Sequence, residues 1–249
     1  MAVLIFFVAH WYLSLFCQTF FLHRYAAHGA FTMSKFWEKV FYILTFITQG
    51  SSYMSPRTYA ILHRLHHAFT DTEDDPHSPM HAPGFLSLMN RTRKKYADVF
   101  NGRLQVEDKF TKNLPDWRTF DSIAHPWFMR VIWIALYTLF YLFFATSPWQ
   151  YLLIPVHAMI GPIHGGIINW FAHKYGTTNF NVNNTSKNLF PIDVFMLGEA
   201  YHNNHHKFPG SINFGVKWNE IDPIYFTILL FDKLRIVRIN KMPRTNDLF

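Results

Sequence analysis

The sequence predicts an all-α integral membrane protein with about three transmembrane helices, a shallow or re-entrant helix, and a helical cap gathered at one face. Three observations carry that expectation. Long runs of the chain hold no formal charge, histidine-rich motifs recur at spacings that suit one face of a helix, and basic residues concentrate in one loop. Composition agrees: half of the 249 residues are hydrophobic and 19% aromatic, with 27 Phe, against 16% charged. That aromatic load is heavy for a water-soluble domain and suggests lipid contact. Cys17 is the only cysteine, which excludes an intrachain disulfide, a zinc ribbon and a thiolate-held iron–sulfur cluster. The apolar N-terminus lacks the basic start and small-residue cleavage site of a removable signal. With no repeat beyond the histidine triplets and no low-complexity linker, residues 1–249 read as a single domain.

The first span is AVLIFFVAHWYLSLFCQTFFL, residues 2–22, whose 21 positions carry no formal charge. At 1.5 Å per residue such a helix reaches roughly 30 Å, enough to cross a bilayer. The second, 127–147, begins with Arg130 close enough to its end to snorkel. The third, 149–171, is interrupted by Pro155, Gly161, Pro162, Gly165 and Gly166, and a broken helix at membrane depth needs protein or water beside it. TSPW at 146–149 forms the hairpin between these two. Segment 36–55 is different: its fully apolar part, VFYILTFIT, is about half a span, and QGSS follows. A complete crossing there would also put the histidines at 23–28 and 63–67 on opposite sides, so 36–55 reads as shallow or re-entrant. The segment 222–236 is too short to span and reads as an interfacial helix before a basic tail. The cap then comprises 56–125 and 172–249.

Residues 91–118 carry eight Lys/Arg, while the 146–149 turn and the N-terminus carry none. By the positive-inside rule this loop, and with it the histidine motifs, faces the cytoplasm. Topology and anionic lipid therefore account for the formal charge of +7, and nucleic acid is not needed as a partner.

The histidines carry the chemistry. HRLHH at 63–67 and HNNHH at 202–206 share one spacing, i, i+3 and i+4, which lies on one helix face. Neutral imidazole is the commonest nitrogen ligand for iron, copper and zinc, and this spacing delivers two or three donors to one place. His23 and His28, at i and i+5, point about 140° apart on an ideal α-helix and would more naturally serve two metals. His173 follows the third span, with Asn169 one turn before it. Nine histidines (23, 28, 63, 66, 67, 173, 202, 205, 206) plus Asn169 are too many for one metal and suit two. His10, His77, His81, His125, His157 and His164 lack such company and read as ordinary core or surface residues. Soft copper and zinc sites usually recruit Cys, and carboxylate di-iron bundles need two Glu-x-x-His motifs, of which this chain has one, Glu199 to His202. A nitrogen-rich pair of irons suits oxygen activation and attack on unactivated C–H bonds. Asp71, Glu73, Asp74, Asp75, Asp193 and Glu199 could orient imidazole N–H groups from behind, Asp75 and Glu199 foremost. Pro209 and Gly210 end the last histidine helix.

H-x-x-x-x-H, H-x-x-H-H and H-x-x-H-H, in that order between hydrophobic segments, resemble the integral-membrane fatty acid desaturases, closest to the acyl-CoA Δ9 branch. DPH at 75–77, NWFAHKYG at 169–176 and GEAYHNNHHKFP at 198–209 extend the resemblance over nearly the whole chain from about residue 10. It implies a di-iron centre on the nine histidines, with Asn169 bound through a water. It also implies a kinked acyl tunnel beneath the metals, O₂ as co-substrate and electrons from a small redox protein such as ferredoxin or cytochrome b5. Two departures stand out. One span, where the family commonly has two, precedes His23, so either the N-terminus would face away from the cytoplasm or another helix has been lost. Ile61 and Leu62 stand where animal acyl-CoA enzymes carry an Arg-Asp pair, which leaves acyl carrier protein and phospholipid open beside acyl-CoA. Thr19, Leu15 and Trp11, counted back from His23, fall on one helix face and would line the tunnel, with Trp11 about 18 Å from His23 by helical rise closing it.

The expected function is thus an O₂-dependent acyl desaturase in a membrane, its site at the cytoplasmic face, a bacterial inner membrane being favoured over the endoplasmic reticulum. A hydroxylase or monooxygenase of lipids or alkanes would use similar histidine motifs. A metal transporter or sensor would place histidines and acids inside the spans, where only His10, His157 and His164 lie.

Overall fold

The computed structural model describes residues 1–240; of the basic tail expected from the sequence, 241–249 lie outside the described residues. Helix α1, Ala2–Phe16, continues without a break into a π-helical stretch, Cys17–Ala27, giving 26 helical residues. No Pro or Gly interrupts it before Gly29, whose φ of +58° begins the turn into strand β1, Phe31–Met33. The first span therefore runs past residue 22.

Ser34 starts α2, Lys35–Gln49, by accepting a hydrogen bond from the backbone of Trp37, as an N-cap serine does. Its 15 residues reach about 22 Å, short of a bilayer's hydrocarbon core. Gly50, at φ +51°, ends the helix where a side chain would strike Tyr137. Helix α3, Pro56–Phe69, opens with proline in its first turn and packs on the π-helical stretch. It returns His63 Nε2 to 2.8 Å from His28 Nε2, so the α2–α3 hairpin leaves and regains the same end of α1. Helices α4 (Phe85–Phe100), α5 (Asp108–Thr111) and α6 (Arg118–Ala124) complete this half of the cap.

Helix α7, Trp127–Phe144, exposes Val131, Ile132, Ile134, Leu136, Leu139 and Leu142, an apolar surface suited to lipid. Arg130 does not snorkel outward. Its guanidinium donates to the carbonyls of Ser51 (2.7 Å) and Tyr53 (3.0 Å), since the turn after α2 leaves backbone acceptors that a buried chain must satisfy. After a 3₁₀ stretch, Pro148–Leu153, come α8 (Ile154–Ala158) and α9 (Ile160–Gly166), the latter running into π-helical Ile167–Phe171. The two halves meet at 70°, where Pro155, Gly161 and Pro162 break the ladder as their chemistry requires. Among the described residues, two helices are long and apolar enough to cross a membrane, or three with the bent pair taken as one span.

The other half of the cap departs from the helical expectation. Residues 172–201 form turns and isolated bridges such as Thr177–Asn188, and among the described residues of this half only α10 (His202–Lys207) and α11 (Pro223–Lys233) are helical. Side-chain oxygens replace a backbone ladder here. Asp193 accepts from the N–H groups of Met196, Gly198 and Ala200, and Asn203 from those of Asn179 and Phe180. The segment read as an interfacial helix is α11. Its inner face, Ile224 and Ile228, joins the main core with Phe20, Phe21, Phe31 and Phe41, while Phe226 and Leu230 remain exposed. Strand β2, Val237–Ile239, then pairs antiparallel with β1.

Candidate metal centre

The nine histidines singled out from the sequence converge in two groups. His23, His28, His63, His67 and His205 form one, and His66, His173, His202 and His206 the other, each with its ring nitrogens within 4.8 Å of one another. Within the first, Nε2–Nε2 distances are 3.1 Å for His23–His205, 2.8 Å for His28–His63 and 2.9 Å for His67–His205. Within the second, His66–His206 is 3.2 Å and His173–His202 3.0 Å.

Two features of this arrangement differ from the local reading. His23 and His28 share a group, because the helix carrying them is π-helical. The His28 N–H bonds the His23 carbonyl at 3.1 Å, an i→i+5 contact, so residues five apart stack in successive turns where an α-helix would splay them. Each triplet, by contrast, divides. His63 and His67 serve the first group and His66 the second; His205 serves the first, His202 and His206 the second. Helices α3 and α10 face each other so that the i, i+4 pair of one meets the single i+3 histidine of the other.

Carboxylates stand behind the rings. His23 Nδ1 lies 2.6 Å from Glu199 Oε2, and His66 Nδ1 lies 2.9 and 3.0 Å from the two oxygens of Asp75. A carboxylate only accepts, so these Nδ1 atoms carry the protons and the Nε2 lone pairs face inward. Burial would raise the Asp75 carboxyl, but its hydrogen bond to His66 holds it below the usual range. Burial would raise Glu199 too; His23, Arg24 and Thr19 together hold it down. Burial first, and then neighbouring imidazoles, lower His28, His63, His67, His202, His205 and His206 well below their ordinary value. His173 is lowered to about 3 for the same reasons. Neutral imidazoles aiming lone pairs at common points about 3 Å apart repel one another unless a cation lies between them. The donor set fits two cations that favour nitrogen.

The other acids have other tasks. Asp71 accepts from the Thr185 N–H at 2.6 Å and lies 3.8 Å from His173 Nδ1. Glu73 and Asp74 are exposed, and Asp193 accepts from the backbone N–H groups of Met196, Gly198 and Ala200 instead of an imidazole. Asn169 is half-buried on the π-helical stretch one turn before His173, with no hydrogen bond among the described residues. Thr19 donates to Glu199 Oε1. Leu15 and Trp11 are buried in one apolar cluster with Ile160, Ile168, Ala172, Met196 and Ala200, so Trp11 faces protein and not lipid. Helix α10 ends at Lys207, ahead of Pro209.

Sequence reasoning passed over Arg24 and Asp222. Arg24 is wholly buried between the first two histidines, bonded to Asp222 at 2.8 and 3.3 Å and 4.0 Å from Glu199. Its guanidinium also lies 4.0 Å from the centroid of Phe214. A charged residue in a helix otherwise apolar was the available signal. His77, read as ordinary, is buried against His66, its N–H bonded to Asp75 at 2.7 Å.

Comparison with known proteins agrees with this geometry. The family described as fatty acid desaturase matches residues 1–229. Delta-9 desaturase-like 1 protein of Arabidopsis thaliana is 30% identical over 90% of this chain and 72% of its own length. Delta-9 acyl-lipid desaturase 2 of the same plant is 30% identical over 89% and 69%. Acyl-CoA C20 Delta5-desaturase of Anemone leveillei is 28% identical over 92% and 70%.

Proposed function

The chain belongs to the fatty acid desaturase family, and from that premise we propose that it is an O₂-dependent di-iron enzyme placing a cis double bond, Δ9-like in position, in a saturated acyl chain. The observation that carries this reading is the pair of converging histidine groups. His23, His28, His63, His67 and His205 would hold one iron; His66, His173, His202 and His206, with Asn169 through a water, would hold the other. The iron pair supplies the oxidising power to remove hydrogen from unactivated methylenes. The reaction balances as R–CH₂–CH₂–R′ + O₂ + two electrons + two protons giving R–CH=CH–R′ + two waters. The electrons come from a separate donor, ferredoxin or cytochrome b5, which the basic cap would attract.

The protein's part is orientation. Glu199 and Asp75 fix the proton on Nδ1 of His23 and His66, and Arg24 and Thr19 in turn fix Glu199. Thr19, Leu15 and Trp11 line the acyl chain's path, and Trp11 closes its far end. The cap faces the cytoplasm by the basic loop at 91–118, and α2–α3 enters the bilayer from that side and returns. A bacterial inner membrane suits this arrangement. The acyl carrier is a thioester, on CoA or acyl carrier protein, or a phospholipid.

Expression in a host lacking its own desaturase tests the reaction. A new monounsaturated acid, absent when His205→Ala is expressed, is the expected result. Products that gain oxygen would instead make the enzyme a hydroxylase. Trp11→Ala should extend the accepted chain, and an unchanged product length would remove Trp11 from the tunnel's end.

A further inference from the structure

The first and last spans hold three more histidines that this chemistry does not use. Two of them meet: His10 Nδ1 lies 2.6 Å from His157 Nδ1, and the Tyr141 hydroxyl meets His157 Nε2 at 2.8 Å. This leaves His10 Nε2 as the one nitrogen of the pair without a partner among the described residues. His164 differs. Its side chain is fully buried, and neither ring nitrogen has a hydrogen-bond partner among the described residues. Buried polar groups are nearly always paired, and an apolar side chain would fill the same place without the desolvation penalty.

Its position is informative. The ring meets Trp11 edge to face, with centroids 4.5 Å apart at 89°. Trp11 heads the apolar cluster of Leu15, Ile160, Ile168, Ala172, Met196 and Ala200. The opposite end of that cluster adjoins the metal centre, since Ala172 precedes His173 and Ala200 follows Glu199. His164 therefore sits at the far end of an apolar column that starts beneath the histidine groups. Its surroundings also restrict the partner. Residues 2–22 and 149–171 contain no Asp, Glu, Lys or Arg, and Arg130 is committed to the carbonyls of Ser51 and Tyr53. An ionised ligand would be left without a counter-charge. A neutral imidazole offers one donor and one acceptor, and a hydroxyl, which both donates and accepts, can pair with either nitrogen.

We infer that the inner end of the substrate path recognises a hydroxyl group on the distal part of the acyl chain, held by His164 beside Trp11. This rests on the desaturase reading and deepens it, naming hydroxylated acyl chains as the favoured substrate class.

The test uses matched pairs of saturated fatty acids, equal in length, one member of each pair bearing a terminal hydroxyl. They are fed to a host without its own desaturase that expresses the full chain, and desaturated products are measured by mass spectrometry. The hydroxylated member should be favoured about tenfold, the worth of one well-made hydrogen bond. His164→Leu should bring the ratio to about one; a preference that survives it would overturn the assignment to His164. Because that variant could fail to accumulate, purified wild-type protein provides a second measurement. There the hydroxylated acid should displace a radiolabelled plain chain at correspondingly lower concentration. Equal conversion and equal displacement would overturn the inference while leaving the desaturase reading intact. Displacement that favours the hydroxylated acid, with no double bond made in either chain, would keep the binding site and overturn the desaturase reading.

Discussion

The nine histidines of the two converging groups and the two that pair inside the spans, His10 and His157, are alike in being withdrawn from water and differ in what stands around them. In the converging groups, rings from four separate elements aim Nε2 atoms at shared points, with Glu199 and Asp75 fixing protons on the outward nitrogens of His23 and His66. In the spans, the His10–His157 contact is one hydrogen bond extended by Tyr141, among the rings of Phe6 and Tyr137, with no carboxylate behind either histidine. Burial and proximity of imidazoles therefore do not make a metal site. Convergence of several lone pairs gives a donor set that fits one, here with a carboxylate acceptor behind two of the rings, His23 and His66.

The largest effect that would break this contrast comes from His205→Ala. His205 touches both His23 and His67, so its loss opens the first group. Desaturated product should fall below detection, and elemental analysis should show less than the full complement of iron. Retention of both would remove His205 from the ligand set.

Glu199→Gln and Asp75→Asn sharpen the contrast from behind. Each keeps the side chain's size and lets an amide N–H meet an imidazole that needs an acceptor. Iron affinity or activity should drop about 10–100-fold, as for other groups that orient a metal's ligands. Asp75→Asn should also lower thermal stability, because Asp75 accepts from the backbone of Asp71 and His77 as well. Comparing metal content with melting temperature separates the two contributions.

Arg130→Leu tests whether the turn beneath the centre depends on one cation. The carbonyls of Ser51 and Tyr53 would lose their donor, a loss of about 1–3 kcal/mol in unfolding free energy. The measurement is thermal unfolding in detergent, and an unchanged midpoint would show that another donor reaches them.

The smallest effect belongs to Tyr141→Phe, which removes one hydrogen bond from the span pair. Stability should fall by about 1 kcal/mol with iron content unchanged. Loss of iron here would erase the distinction between the two sets.

Much of the candidate site was legible because its signals are local. Uncharged runs mark the spans, Pro155, Gly161 and Pro162 mark the 70° bend, and the histidine spacings name eight members of the two groups, His173 being singled out by its place after the third span. Local spacing misled where it assumed an α-helix. The π-helical Cys17–Ala27 brings His23 and His28 together, and its wider turn is held by packing against α3 that no window of sequence contains. It also could not say that the triplets divide, because that depends on how α3 and α10 face each other across about half the chain.

The histidines that converge and the apolar runs that lead to them were thus legible in sequence alone, through residue chemistry and hydrophobicity. Tertiary structure decided the partition of the ligands, the inward turn of Arg130 and the Arg24–Asp222 pair, whose members lie 198 residues apart. It also decided the irregular path of 172–201, where Asp193 and Asn203 take over the hydrogen bonds of a regular ladder. The physical reason is the same in each case. A buried polar group must find its partner in space, and which partner is near is a property of the fold.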